Sequence, residues 1–322
     1  MGRTKPLTKG LSLENGSLFW FQNYSMNNNV YIVSPSGAVD PEYVAGAKEV
    51  LTQWGYKVYV APHACGQMGR FSASDDERIS DLQSAINAPG RGVILCSRGG
   101  YGLSRIIDKI DFSPLKTPDN YKLIVGFSDI TALHNAVSNL GLRSLHAAMT
   151  KNIATESGSI AVETLKSVLE GKPLSYRFGG TPFNHAGCVK GRLMGGNLSI
   201  IYALRGTPYD LNYDGAILFI EDIGERLYHV DRMIQNLRLG GVFDRISGLV
   251  VGQFTECDTD DTFPGGAYGI ISDAVKGYDF PVAMNFSAGH IGECNLPLLM
   301  GANYRLDVSE LSQIVTLEQT AD

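Results

Sequence analysis

From Val30 onward, short apolar runs alternate with stretches whose apolar residues recur every three or four positions. The runs Val30-Tyr31-Ile32-Val33, Lys57-Val58-Tyr59-Val60, Gly92-Val93-Ile94-Leu95-Cys96 and Tyr121 to Val125 predict strands. Between and after them the spacing predicts helices over about Pro41 to Trp54, Asp75 to Ile86, Leu103 to Ile110 and Ile130 to Leu140. Pro41 at an early helical position, Gly55 just past the same helix and the acidic start at Asp75 all suit helix ends. This strand-helix alternation implies an α/β fold with a doubly wound parallel sheet, whose ligands sit beyond the C-terminal ends of the strands.

The pattern changes after Arg143-Ser144-Leu145-His146. Residues 30–150 read as an N-terminal α/β domain, and 151–187, with one short helix over Ile160 to Leu169 and then many Gly, Pro and polar residues, as a linker. A smaller C-terminal α/β domain is expected over 188–322. It opens near Cys188-Val189-Lys190-Gly191 and turns through Gly195-Gly196 into a helix carrying Leu198, Ile201, Tyr202 and Leu204. A buried strand, Ala216 to Ile220, ends in Glu221-Asp222. A helix with Val230, Met233, Ile234 and Leu237 on its core face ends at Gly240-Gly241. Leu249-Val250-Val251 and Val282 to Asn285 predict strands, Tyr268 to Val275 a helix, and Tyr304 to Leu317 a β-hairpin.

Composition narrows the range of functions. At 322 residues, 44% apolar and 19% charged, the chain can bury the cores of two domains and reads as a soluble globular protein. A formal net charge of -6 with no Lys/Arg cluster argues against nucleic acid or an anionic membrane surface as partner, and points to a small substrate. Five scattered cysteines, Cys65, Cys96, Cys188, Cys257 and Cys294, contain no C-x-x-C pair and suit a reducing compartment. No His/Cys/carboxylate cluster has ligand spacing; His290 and Cys294 are four apart but lack further partners, so no metal and no cofactor are expected. Residues 1–29 read as an extension or tail. Its longest apolar run, Leu18 to Phe21, is too short for a signal-peptide core.

Val125-Gly126-Phe127-Ser128-Asp129-Ile130 puts a lone Ser between a strand and a helix. On a sharp turn of that kind a Ser hydroxyl is lifted out as a nucleophile, and the Asp129 N–H, at the helix start, points toward an oxyanion. The same pattern also fits a Ser that merely caps a core helix, since Ile130 stands where G-x-S-x-G would have its second Gly. Arg98-Gly99-Gly100-Tyr101-Gly102 falls at the same sheet edge. Its glycines let backbone N–H groups approach an anion, which makes Gly100 a candidate second oxyanion donor, with Arg98 and Tyr101 as candidate substrate contacts.

A Ser nucleophile needs a base and an orienting acid. His63 and His185 lie in loops, His134 points away along its helix, and His229 precedes a core face. That leaves His146 and His290, the latter in the glycine-flanked loop Ser287 to Gly292. Among the acids, Glu221 ends a buried strand, with Asp222 and Glu225 as rivals. The order Ser, Glu, His occurs among serine hydrolases.

Five segments, Arg98 to Gly102, Gly126-Phe127-Ser128-Asp129, Gly195-Gly196-Asn197-Leu198, Phe219 to Asp222 with Asp231-Arg232-Met233, and Gly289-His290, together resemble the LD-carboxypeptidase family of serine peptidases. The resemblance runs from about Val30 to Leu317. It implies a nucleophile at Ser128, a base at His290, an orienting acid at Glu221, and an N-terminal domain similar to the glutamine amidotransferases. It also implies a cytoplasmic homodimer that takes the terminal D-alanine from murein tetrapeptide, a small peptide substrate, by hydrolysis of an L,D bond in cell-wall recycling. A branch of the family cleaves microcin-type peptidyl-nucleotides, for which Phe183 in the linker is a candidate stacking residue. The chain departs from the family's frequent His-Gly-Pro-Met at His146-Ala147-Ala148-Met149. A non-catalytic binding protein and a glutamine amidotransferase are the competing classes. The first predicts that Ser128, Glu221 and His290 do not converge, and the second needs a thiol where Ser128 stands.

Overall fold

The computed structural model describes residues 28–310 and 314–320, so most of the expected N-terminal extension lies outside the described residues. The first sheet contains β1 (Asn29–Val33), β2 (Lys57–Val60), β3 (Gly92–Cys96), β4 (Lys122–Gly126) and β5 (Ser144–His146). Its order is β11-β5-β4-β3-β1-β2, and every pairing is parallel except the antiparallel one to β11 (Leu298–Met300). The doubly wound reading therefore holds, with helices α1 (Pro41–Gln53), α2 (Asp75–Asn87) and α3 (Thr131–Ser138) between the strands. β3 and β4 are buried along their whole length, which is why β3 and the Leu123 to Val125 stretch of β4 read as continuous apolar runs; Lys122 at the start of β4 is buried with its Nζ bonded to carbonyl oxygens.

The stretch from Leu103 to Ile110 departs from the expected helix. It forms two 3-10 turns, Leu103–Arg105 and Ile107–Lys109, separated by Ile106 at φ -126. Leu103, Ile106, Ile107 and Ile110 are all buried, so the spacing is real. The backbone, however, is pinned at its start, where the Leu103 N–H donates to the Asp129 carboxylate at 3.0 Å.

The segment 151–187 is more structured than a linker. It carries most of α4 (Thr150–Thr155), then α5 (Ile160–Leu169) and β6 (Ser175–Gly179), and β6 forms the edge of the second sheet. That sheet also contains β7 (Gly187–Asn197), β8 (Ile217–Ile223), β9 (Gly248–Thr255), β10 (Val282–Ala283), β12 (Asn303–Val308) and β13 (Ile314–Gln319), in the order β10-β9-β8-β7-β12-β13-β6. β7 to β10 pair in parallel; β7, β12, β13 and β6 pair antiparallel. Helices α6 (Leu198–Leu204), α7 (Leu227–Leu239) and α8 (Gly266–Val275) cover one face.

Two apolar cores share β8 by strand alternation. Ile217 and Phe219 join the core that includes the first sheet, while Leu218 and Ile220 join the core under α6, α7 and α8. β11 lies late in the chain yet pairs with β5 through Leu298 opposite His146. The chain between β10 and β11 must therefore pass from the second sheet to the first, and His290 lies on that passage.

Candidate active site

Gly126 closes β4, and the chain turns at Phe127 and Ser128 into a 3-10 turn, Ser128–Ile130, that leads into α3. Ser128 sits at φ 67, the left-handed region that side-chain-bearing residues rarely adopt. It does not cap the helix, as no side-chain cap bond is made there. Gly99 makes the close approach possible. A Cβ at that position would lie 2.7 Å from the Ser128 Cβ and 3.0 Å from its Oγ.

Asp129 ties three loops together. Its buried carboxylate accepts from Ser36 Oγ at 2.7 Å and from the Leu103 N–H. Burial pushes this carboxyl above its ordinary value, and those two hydrogen bonds pull it back. Arg78, 1% exposed, supports the far end of the glycine loop by donating to Gly102 O at 3.2 Å and to Pro35 O. Neither anchoring role is evident from local sequence, because the partners lie up to 93 positions apart.

Glu221 is fully buried, and its Oε2 lies 2.9 Å from His290 Nδ1. Strand alternation puts it on the Phe219 side of β8. Asp222, on the other side, accepts from Asn197 Nδ2, the Ser199 N–H and the Ile223 N–H, each at 2.9 Å. Gly289, at φ 127, lets the loop close on Glu221, since a Cβ there would be 2.9 Å from the carboxylate. The Gly289 N–H donates to the buried Asn295 Oδ1 at 3.0 Å, and the His290 ring packs edge-on to Phe127 with centroids 5.0 Å apart.

The rival acids are engaged elsewhere. Glu225 binds His229. His134 is buried between Gly126 O and Ser144 Oγ, and burial lowers its pKa to about 4. His146, fully buried between Phe127 and Phe219, is held well below the ordinary imidazole value by desolvation. Phe183, partly buried, packs against the core under α6, α7 and α8.

Ser128 and His290 line one cleft of about 630 Å³, together with Arg98, Gly99, Gly100, Phe127 and Ile223. Its far wall combines Asp40 and Tyr43, at the start of α1, with Lys151, Asn152 and Glu156, from α4 and its C-terminal end; the latter three were not legible in sequence, because α4 reads as part of a polar connection. Arg98 Nη1 donates to Ala38 O at 2.6 Å, and among the described residues it has no carboxylate partner. Tyr101 leans on Phe71 and is 42% exposed. No group of three potential metal ligands occurs among the described residues, and no helix there is long and apolar enough to cross a membrane.

Asp222 supplies a pH prediction. Burial, with the Glu221 charge second, pushes its carboxyl up to about 7. A raised carboxyl contributes stability that is fully present below the unfolded value, near 3.8, and is lost as pH rises through about 7. Asp222→Asn should therefore flatten the fall in unfolding free energy between pH 4 and 8, by on the order of 2–4 kcal/mol. Urea midpoints of both proteins across that range measure it. Equal slopes would overturn the assignment.

The LD-carboxypeptidase N-terminal domain matches residues 30–147, and the LD-carboxypeptidase C-terminal domain matches residues 190–306. A Bacillus subtilis relative named probable murein peptide carboxypeptidase is 29% identical, over 89% of this chain and 91% of its own. The crystal structure of muramoyltetrapeptide carboxypeptidase from Oxalobacter formigenes superposes with a TM-score of 0.82 at 27% identity, covering 91% of this chain and 99% of that one. The microcin C7 self immunity protein MccF superposes with a TM-score of 0.78 at 20% identity, covering 92% and 97%, a likeness that speaks to the fold alone. With both of its domains matched in order across well over half of its length, the chain belongs to the LD-carboxypeptidase family of serine peptidases.

Proposed function

We propose that Ser128, His290 and Glu221 form a catalytic triad that removes the terminal D-alanine from murein tetrapeptide in cell-wall recycling. The observation that carries this reading is the buried Glu221–His290 hydrogen bond, made by a His that lines the same cleft as the strained Ser128. The murein peptide and muramoyltetrapeptide activities for which the Bacillus and Oxalobacter relatives are named support the substrate.

In this mechanism Ser128 Oγ attacks the carbonyl carbon of the L,D bond while His290 takes its proton. Because Nδ1 faces Glu221, Nε2 is the nitrogen left for that transfer. Glu221 fixes the tautomer and offsets the imidazolium charge. The N–H groups of Gly100 and Asp129 hold the oxyanion. His290 then returns the proton to the leaving amine, the C–N bond breaks, and D-alanine departs. Water, deprotonated by His290, attacks the acyl ester, and Ser128 is restored. The scheme requires no metal or cofactor. A cytoplasmic homodimer belongs to the same reading, and sedimentation equilibrium tests the dimer.

The test is incubation with murein tetrapeptide, its L-alanine-ended isomer, the pentapeptide and a peptidyl-adenylate analogue. Release of D-alanine from the tetrapeptide alone supports the proposal. Preferential cleavage of the adenylate would assign the chain to the other branch and leave the triad standing.

A further inference from the structure

We infer that a second, smaller cavity beside the nucleophile, lined by Arg70, Arg98 and Tyr101, receives the leaving D-amino acid and binds its free carboxylate. This rests on the proposed function and adds to it a direction of binding and a cation that the sequence did not reveal. The cavity, about 310 Å³, shares Arg98 and Gly100 with the 630 Å³ cleft that holds Ser128 and His290. Gly100 is the proposed oxyanion donor, so the scissile carbonyl lies near the junction and the peptide runs from one cavity into the other. Size then sets the direction. A tripeptidyl acyl group needs the larger space, and one residue with a methyl side chain fits the smaller.

Charge gives the same direction independently. The larger cleft has both signs on its wall, Asp40 and Glu156 as well as Lys151. No acidic residue lines the smaller cavity, which has two guanidinium groups. Neither Arg70 nor Arg98 has a carboxylate partner among the described residues. A bound carboxylate would thus meet Arg70 and the shared Arg98 with no acidic residue in the smaller cavity, and a mixed field in the larger one.

The cavity is also preformed, because backbone bonds join its three walls. The Gly37 N–H donates to Gly99 O at 3.0 Å, and the Ala38 N–H donates to Arg70 O at 3.1 Å. Arg98 is held at the rim by its bond to Ala38 O. The Arg70 guanidinium lies 5.8 Å from the Tyr101 ring centre, which orients the cation and leaves ring surface for a methyl group.

The experiment compares murein tetrapeptide with its C-terminal amide on the wild-type protein and on Arg70→Gln, Arg98→Gln and Lys151→Gln, with thermal melts to establish folding. The wild type should prefer the free acid ~10- to 100-fold in kcat/KM, as expected for one charged hydrogen-bonding partner. Arg70→Gln and Arg98→Gln should each lose most of that preference by slowing on the acid while changing little on the amide. Lys151→Gln should keep the wild-type ratio. No acid preference in the wild type, a preference unchanged in both arginine variants, or its loss in Lys151→Gln alone would overturn the inference. Failure of the wild type to release D-alanine from either peptide would instead remove the proposed function beneath it.

Discussion

Ser128→Ala should leave a folded protein whose hydrolysis of murein tetrapeptide is lower by ~10⁴- to 10⁶-fold, the loss seen when a triad member is removed. The hydroxyl is the only atom lost, and the turn itself is set by Gly126, Phe127 and the 3-10 start of the helix. Backbone geometry adds a second readout. Ala inherits the left-handed φ of 67, whereas Gly adopts it freely. Ser128→Gly should therefore be as inactive as Ser128→Ala yet more stable by about 1 kcal/mol, measured as the difference in urea midpoint multiplied by the slope. Such a pair would show a site held in strain for its chemistry. Substantial turnover by purified Ser128→Ala would sink the nucleophile assignment and make exposed Cys294 the next residue to test.

His290→Ala should match Ser128→Ala, and the double variant should be no slower than either single one, because triad members act as a unit. Glu221→Gln is the more informative change. It keeps the volume of a fully buried side chain but offers His290 Nδ1 either a neutral acceptor or a competing donor. The expected loss is ~10⁴-fold in kcat, with KM little altered, since the carboxylate acts through the imidazole. Glu221→Ala should also lose stability by about 3 kcal/mol, because it opens a space under Gly289 and Gly252, whose backbones close on this side chain. Single-turnover kinetics with denaturation midpoints separate the two effects. A Glu221→Gln enzyme within tenfold of wild type would remove Glu221 from the triad.

The elements around the nucleophile were legible because their signals are local. β4 carries the apolar run Leu123 to Val125, α3 repeats at helical spacing, and a single Ser lies between them. The first helix has its cap at Asp40 and its Pro at the first position, and the second has a capping box from Ser74 to Glu77. Where local spacing misled, a distant group had taken over the backbone. Leu103 to Ile110 has the period of a helix, but Asp129 holds its first N–H. Likewise β6 is a short stretch among Gly, Pro and polar residues and so reads as part of a polar connection, although Tyr176 and Phe178 alternate with exposed residues; pairing with β13 makes it a strand.

The sequence by itself determined the first four strands of the first sheet and the helices after β1, β2 and β4, the place of Ser128 at the end of β4, and a short set of acids and histidines from which a relay could be drawn. Its local patterns favoured Glu221, at the end of a buried strand, over Asp222 and Glu225, and kept His290 and His146 as candidate bases; the resemblance to a family pointed to Glu221 and His290 as a pair. The tertiary structure separates them by the alternation of β8, which turns Glu221 to one core and Asp222 to the other, and by the passage of the chain from β10 to β11. It alone brought Arg70 beside Arg98 and Lys151 onto the wall of the cleft. The reason is physical. Periodicity and capping are fixed by neighbours a few residues apart, whereas a contact such as Glu221 to His290 joins residues 69 positions apart and forms only where the chain's two sheets pack against a shared core.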